Sequence, residues 1–222
     1  MDAQNDSLQE LQHIKRMMER SSRFISLSGL SGIAAGLCAL VGAWFARQEI
    51  TEYVVENSPS FDDYRGTYIF TNSLNTLIIN LITIAFLTFA AAFITAFLFT
   101  YLRSKKEGVP LWGKATIRLF WNTTIPLFAG GIYLLRSIDL GHFGLIAPGC
   151  LIFYGLALVN ASKYTLGEVR YLGYGQILLG IINLWLVGYG LFFWAAGFGL
   201  LHIIYGLLMW FKYERVPVTD NE

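Results

Sequence analysis

The sequence predicts an all-α, polytopic transmembrane helix bundle of about six spans, preceded by an N-terminal cytoplasmic amphipathic helix. Three observations predict it. Apolar residues make up 55% of the 222 residues and charged residues only 14%, where soluble domains carry about 25% charge. The apolar residues come in runs long enough to cross a bilayer, for which about 20 residues suffice at 1.5 Å rise each. The basic residues fall in alternate loops, on one side of the predicted spans.

The chain opens on a polar tail over residues 1–22. Ser7 and Glu10 have the spacing of a capping box. Leu8, Leu11, Ile14 and Met18 then recur at helical steps and give one apolar face. Lys15, Arg16 and Arg20 suit anionic headgroups, and the same face suits a partner helix. A plain extension of the first span is the simplest alternative. The apolar run that follows is too long for a signal peptide, so it is read as a retained helix.

Spans are expected near 24–46, 76–101, 116–137, 143–161, 171–188 and 190–211, within a transmembrane domain of 23–212. The third holds Arg118 and Asn122, and the fourth holds Pro148. The last two are separated only by Gly188-Tyr189-Gly190. A loop is expected at 47–75, with Glu49, Glu52, Glu56, Asp62 and Asp63 giving it an acidic surface. Residues 213–222 form a short tail.

Thirteen of the sixteen basic residues lie on one side of these spans, leaving Arg47, Arg65 and Arg136 on the other. Short basic loops stay in the cytoplasm. Both termini are therefore expected inside, in a multi-pass protein of the bacterial cytoplasmic (inner) membrane, with the 47–75 loop outside.

Small residues mark the first span. Gly29, Gly32 and Gly36 form one face with a GxxxG step, which lets two helices approach closely, within the chain or between copies. Charge and polarity inside or beside spans are costly, so such residues are candidate sites. Arg136, Asp139 and His142 form an outer cluster between spans three and four, with Arg136 and Asp139 spaced to pair on one helix face. Glu168, Gln176 and Asn183 form a polar line on span five. It suits polar helix–helix bonding, or a narrow hydrophilic path. His202 is the one histidine deep in a span and reads as a hydrogen-bonded core residue. Tyr154-Gly155-Leu156 is echoed by Tyr205-Gly206-Leu207. Common membrane composition accounts for the echo, and a duplicated helical hairpin is the alternative.

Several classes find no support in these residues. His13, His142 and His202 lie at different predicted depths, which argues against a histidine-bound iron site. No His-Glu-x-x-His motif, Rossmann glycine pattern or phosphate loop is present. Cys38 and Cys150 lie in apolar runs and read as small buried residues. No cofactor, metal or nucleic-acid partner is expected.

The stretches MMERSSRFISLSGLSGIAAGLCALVGAWFA, GEVRYLGYGQILLGIINLW and GLLHIIYGLLMWFKYE resemble a group of small, uncharacterised bacterial membrane proteins. The resemblance implies a six-helix membrane protein. Some of that group are labelled carotenoid-cleaving oxygenases, a label at odds with the histidine content here. The functional expectation is a non-enzymatic membrane protein that acts through protein–protein interaction, as a sensor, scaffold or accessory subunit. Its partners would be the lipid bilayer and either a second copy or another membrane or cytoplasmic protein docked through residues 1–22. The alternatives are a dimeric small-solute transporter or channel using the Glu168 line, and a lipid-acting enzyme using Asp139 and His142.

Overall fold

A computed structural model describes residues 28–56, 66–108 and 113–213 of the chain. The amphipathic tail expected over 1–22, and the C-terminal tail beyond Tyr213, lie outside the described residues. Among those described, the chain is all-helical. The elements are α1 (Gly29–Glu56), α2 (Gly66–Glu107), α3 (Lys114–Asp139), α4 (Ile146–Ala161), α5 (Val169–Trp185), a short α6 (Gly190–Trp194) and α7 (His202–Tyr213). A 3-10 turn at Phe143–Leu145 leads into α4, and another at Val187–Tyr189 leads into α6. A π-helical turn, Ala195–Leu201, joins α6 to α7.

Among the described residues, four helices are long and apolar enough to cross a membrane: Gly29–Glu56, Leu74–Lys106, Phe143–Ala161 and Val187–Tyr213. The two other expected spans correspond to α3 and α5, which are not among these four. α3 has 26 residues but carries charge at both ends and Asn122, Thr123 and Thr124 within. α5 has 17 residues, about 25 Å of helix. The segment expected as a loop over 47–75 is helical over 47–56 and 66–75, and 57–65 lies outside the described residues. Helical backbone satisfies its own polar groups, so a span need not stop where its apolar run stops.

The chain divides into two compact units. One contains Phe99–Gly190, and hence α3, α4 and α5. In it α4 packs against both α3 and α5. The α3–α4 contact is set by glycines that receive rings. A methyl group at Gly130 would sit 2.6 Å from Phe153 Cβ, and one at Gly149 would sit 2.8 Å from Tyr133 Cε1. The Tyr133 and Phe153 rings lie 5.5 Å apart. The chain turns between these helices at Gly141, whose φ of +74° is costly for any residue with a side chain. Pro148 falls in the first turn of α4, where no helical partner exists for the N–H it lacks.

The other unit contains Gly29–Leu98 and the chain from Leu191 onward. α1 packs against the π turn and α7. It also meets α2 through an antiparallel series of polar contacts. Asn80 Nδ2 donates to Glu49 Oε2 at 2.9 Å, Gly42 faces the Thr88 side chain, and Cys38 Sγ and Thr95 Oγ1 lie 4.0 Å apart.

The tightest helix pair of each unit repeats the other. Gly173, Ile177, Gly180 and Leu184 on α5 repeat the spacing of Gly29, Ile33, Gly36 and Leu40 on α1. Ile152, Tyr154, Gly155 and Leu156 on α4 repeat Ile203, Tyr205, Gly206 and Leu207 on α7. The contacts repeat as well. A methyl group at Gly155 would meet Gly173 O, Ile177 N and Ile177 Cγ1, and one at Gly206 would meet Gly29 O, Ile33 N and Ile33 Cγ1. Gly180 faces Pro148 O and Ile152 Cγ1, while Gly36 faces Gly199 O and Ile203 Cγ1. The Tyr-Gly-Leu echo, read from sequence as shared composition, therefore marks one packing geometry used twice.

The repeat predicts matched sensitivity. Gly155→Ala and Gly206→Ala place a methyl group 2.6–2.7 Å from the facing helix. Each should cost about 1–3 kcal/mol of stability in detergent unfolding. Gly131→Ala, with nothing within 4 Å of the new methyl, should be neutral or gain up to about 1 kcal/mol.

Candidate functional site

The polar side chains best protected from the surroundings sit on the seam between α4 and α5. The face of α5 that is buried runs Val169, Leu172, Gly173, Gln176, Gly180 and Asn183. It packs against α4, with Gly173 facing Gly155 and Val159 and Gly180 facing Pro148, Leu151 and Ile152. These steps of three and four residues are one stripe of a helix. Glycines at 173 and 180 bring the backbones together, with a methyl group at either lying 2.8 Å from Gly155 O or 3.0 Å from Pro148 O.

Gln176 and Asn183 lie within this stripe and are both 0% exposed. Asn183 ends the helix. Its Nδ2 donates to Leu186 O at 2.9 Å, and its own carbonyl accepts from Leu186 N at 3.1 Å. Leu186 leaves helical geometry at φ −112°, ψ 53°. The side chain thus adds a second hydrogen bond to a carbonyl that already accepts from Tyr189 N at 3.0 Å. Asn183 Oδ1 is buried and accepts no hydrogen bond from any described residue. Gly190 stands beside it: a methyl group there would be 4.0 Å from Oδ1 and 3.2 Å from Ala147 Cβ.

Glu168, the third member of the line drawn from sequence, lies apart from this stripe. It precedes the first helical residue of α5 and is half-buried. Eight residues rotate a helix by about 80° from register, so Glu168 and Gln176 do not share a face as Gln176 and Asn183 do. The structure brings two of the three together in a closely packed seam.

The outer cluster is divided in a similar way. Arg136 and Asp139 form an ion pair across the last turn of α3, with side chains 64% and 66% exposed. His142 follows the turn at Gly141; its N–H donates to Ser137 O at 2.8 Å. Its exposed side chain takes no part in the ion pair. Gly29, Gly32 and Gly36 face Gly206, His202 and Gly199 of the same chain, so this small-residue face is occupied in cis.

His202 lies at the junction of the π turn and α7, 7% exposed. Its Nδ1 is 3.1 Å from Gly197 O. A carbonyl only accepts, so Nδ1 carries the hydrogen. The ring stacks on Phe198 at 6.1 Å, and Phe198 lies 5.0 Å from Trp194. The wider π turn sets a carbonyl five residues back within reach of the imidazole. Among the described residues, no group of three or more His, Cys, Asp or Glu side chains is placed to hold a metal ion.

No family model, curated protein or solved structure matches the chain.

Sequence reading singled out neither the Glu49–Asn80 contact nor the π turn. Glu49 stood among other acidic residues of an expected loop, and Asn80 stood alone in an apolar run. Gly197, Phe198 and Gly199 lie within the π turn. A π turn has no spacing of its own before its partner helix is known.

The exposed ion pair should contribute little. Arg136→Ala and Asp139→Ala should each shift the unfolding midpoint by less than about 2 °C. His202→Leu removes the bond to Gly197 O and should lower stability by about 1 kcal/mol, read by thermal unfolding in detergent.

Proposed function

We propose that this chain is a non-enzymatic, multi-pass protein of the bacterial inner membrane that works through helix–helix association with another membrane protein, as a sensor, scaffold or accessory subunit. The observation that carries this reading is the surface of α2. This helix has 42 residues, about 63 Å, and none of its most apolar window is buried inside the chain. Phe89, Phe93 and Phe97 form a stacked ladder along one face, with ring centroids 6.2 and 6.4 Å apart. Phe86 is 69% exposed and Phe93 61%.

Lipid gives apolar helices no hydrophobic reason to associate, so association depends on shape and dispersion. A ladder of stacked rings presents a ridge of fixed shape. Of the docking surfaces expected from sequence, the small-residue face of α1 is already filled by α7 and the π turn, and residues 1–22 lie outside the described residues. Among the four helices long and apolar enough to cross a membrane, α2 is the one with none of its apolar window buried, against 28–39% for the others, which favours it as the surface for a partner's transmembrane helix.

In the same reading the chain has six spans with both termini in the cytoplasm, like the group of bacterial membrane proteins it resembles. Two features support counting α3 and α5 as spans. The polar side chains of α3 bond to their own helix: Asn122 Nδ2 donates to Arg118 O at 2.8 Å and Thr123 Oγ1 to Leu119 O at 3.0 Å. Those of α5 face α4. Both arrangements lower the cost of polar groups in hydrocarbon. Small-solute transport is the second reading, and its support is the buried Gln176 and Asn183.

A photo-crosslinking residue at Phe93, in cells, should give a discrete adduct with a second protein. Replacing Phe89, Phe93 and Phe97 with Leu should abolish co-purification of that protein and leave the unfolding midpoint nearly unchanged. Crosslinks to lipid alone, or co-purification that survives the triple replacement, would refute the association reading. Reporter fusions within 109–112 and at Gly167 should both report a cytoplasmic location, which checks the six-span order.

A further inference from the structure

The side of α5 turned away from α4 is exposed along its length. Tyr171, Tyr174, Leu178 and Trp185 recur there at helical steps, Tyr171 being 61% and Trp185 77% exposed. Arg170 borders this face and is exposed as well. Its guanidinium lies over the ring of Tyr171, 4.9 Å from the centroid. Arg170 Nη2 donates to the Tyr171 hydroxyl oxygen at 3.0 Å, and Tyr174 packs edge-on against Tyr171 at 6.4 Å.

That hydrogen bond has a direction. A phenol that accepts from a guanidinium still has its own hydrogen to give, and the guanidinium keeps further N–H groups. Among the described residues, no acceptor takes the Tyr171 hydrogen and no carboxylate forms an ion pair with Arg170. Glu168 is within electrostatic reach of Arg170, and Lys163 is exposed in the turn between α4 and α5. The turn therefore sets two cations against one carboxylate. Two donors side by side at a positive charge suit an oxyanion that offers two oxygens.

The place of the pair along its helix selects the oxyanion. α7 ends on Lys212 and Tyr213, where the ammonium again lies over the ring of the next residue, at 5.1 Å. The helical stretch that ends there, Val187–Tyr213, is long and apolar enough to cross a membrane. In the repeat, the end of α7 corresponds to the end of α4, and α5 starts after a short turn from that end. Arg170 and Tyr171 thus stand at the same end of their helix pair as Lys212 and Tyr213. A tyrosine beside a cation at a span's end belongs at the headgroup level, where the oxyanions are lipid phosphates.

We propose that Arg170 and Tyr171 form a binding site for the phosphate of an anionic phospholipid in the inner leaflet. The guanidinium and the phenol each donate to one phosphate oxygen, and Tyr174 holds the Tyr171 ring in place. The site rests on the reading of α5 as a span that starts in the cytoplasm, and it is independent of any partner on α2.

The test follows thermal unfolding of the full chain in nanodiscs of phosphatidylcholine alone and of phosphatidylcholine mixed with phosphatidylglycerol. The native midpoint should rise by about 2–4 °C in the mixture. Arg170→Gln and Tyr171→Phe should lose most of that rise. Both side chains are exposed, so both variants should unfold near the native midpoint in phosphatidylcholine alone. A double variant of exposed cations on α2, Lys105→Gln with Lys106→Gln, should keep the rise. A flat native response overturns the site, and so does a rise that survives either Arg170→Gln or Tyr171→Phe. A rise lost as fully in the double lysine variant also overturns it, because it then reports the general attraction of a cationic surface to an anionic bilayer. The reporter fusion at Gly167 checks the span reading separately: a cytoplasmic Gly167 with a flat lipid response refutes the site alone.

Discussion

Two helices in hydrocarbon gain nothing by hiding apolar surface from one another, because lipid is as apolar as leucine. What holds them together is contact close enough for dispersion and polar groups to act. The structure meets that constraint with glycine. At Gly155 and Gly173, and again at Gly29 and Gly206, each helix presents bare backbone to the other's carbonyl. Remove that approach and the side chains on the same stripes lose their partners. Gln176 and Asn183 stay out of lipid only because Gly173 and Gly180 bring α4 against them.

Using one geometry twice leaves the equivalent positions free to diverge. On α1 the stripe is filled by Gly32 and Ala39; on α5 it carries Gln176 and Asn183. Leu151 of α4, 0% exposed, stands where α7 has His202. Pro148 stands where the π turn has Gly199. Each unit thus places its polar group on a different helix of the pair. The structural cost is met locally: Asn183 ties down the end of α5, and His202 bonds to a carbonyl exposed by the π turn. Polar groups that bond within their own helix or seam are cheaper to carry in a membrane than ones that must find distant partners.

The ends of the helices follow different physics. Arg136 and Asp139 pair in an exposed setting, where an ion pair is worth little. The Glu49–Asn80 bond joins a half-buried carboxylate on α1 to an amide on α2 and fixes the register of those two helices at one end. α2 itself is the outlier. It is longer than a bilayer requires, and its apolar surface is left to whatever surrounds it.

The sequence by itself determined the class of the protein. Long apolar runs and scarce charge follow from the energetics of single helices in lipid, which depend on local composition alone. The glycines, the polar stripe on α5 and the Arg136–Asp139 pair were legible for the same reason, since helical spacing places residues on one face without knowledge of the fold. What only the tertiary structure decided was which faces meet. Whether Gly32 and Gly36 pack within the chain depends on α7, over 160 residues away. That the Tyr-Gly-Leu echo is a repeated packing geometry depends on contacts between α1 and α7, which come from opposite ends of the chain. Such facts are properties of helix pairs, and a single helix's sequence carries half of each.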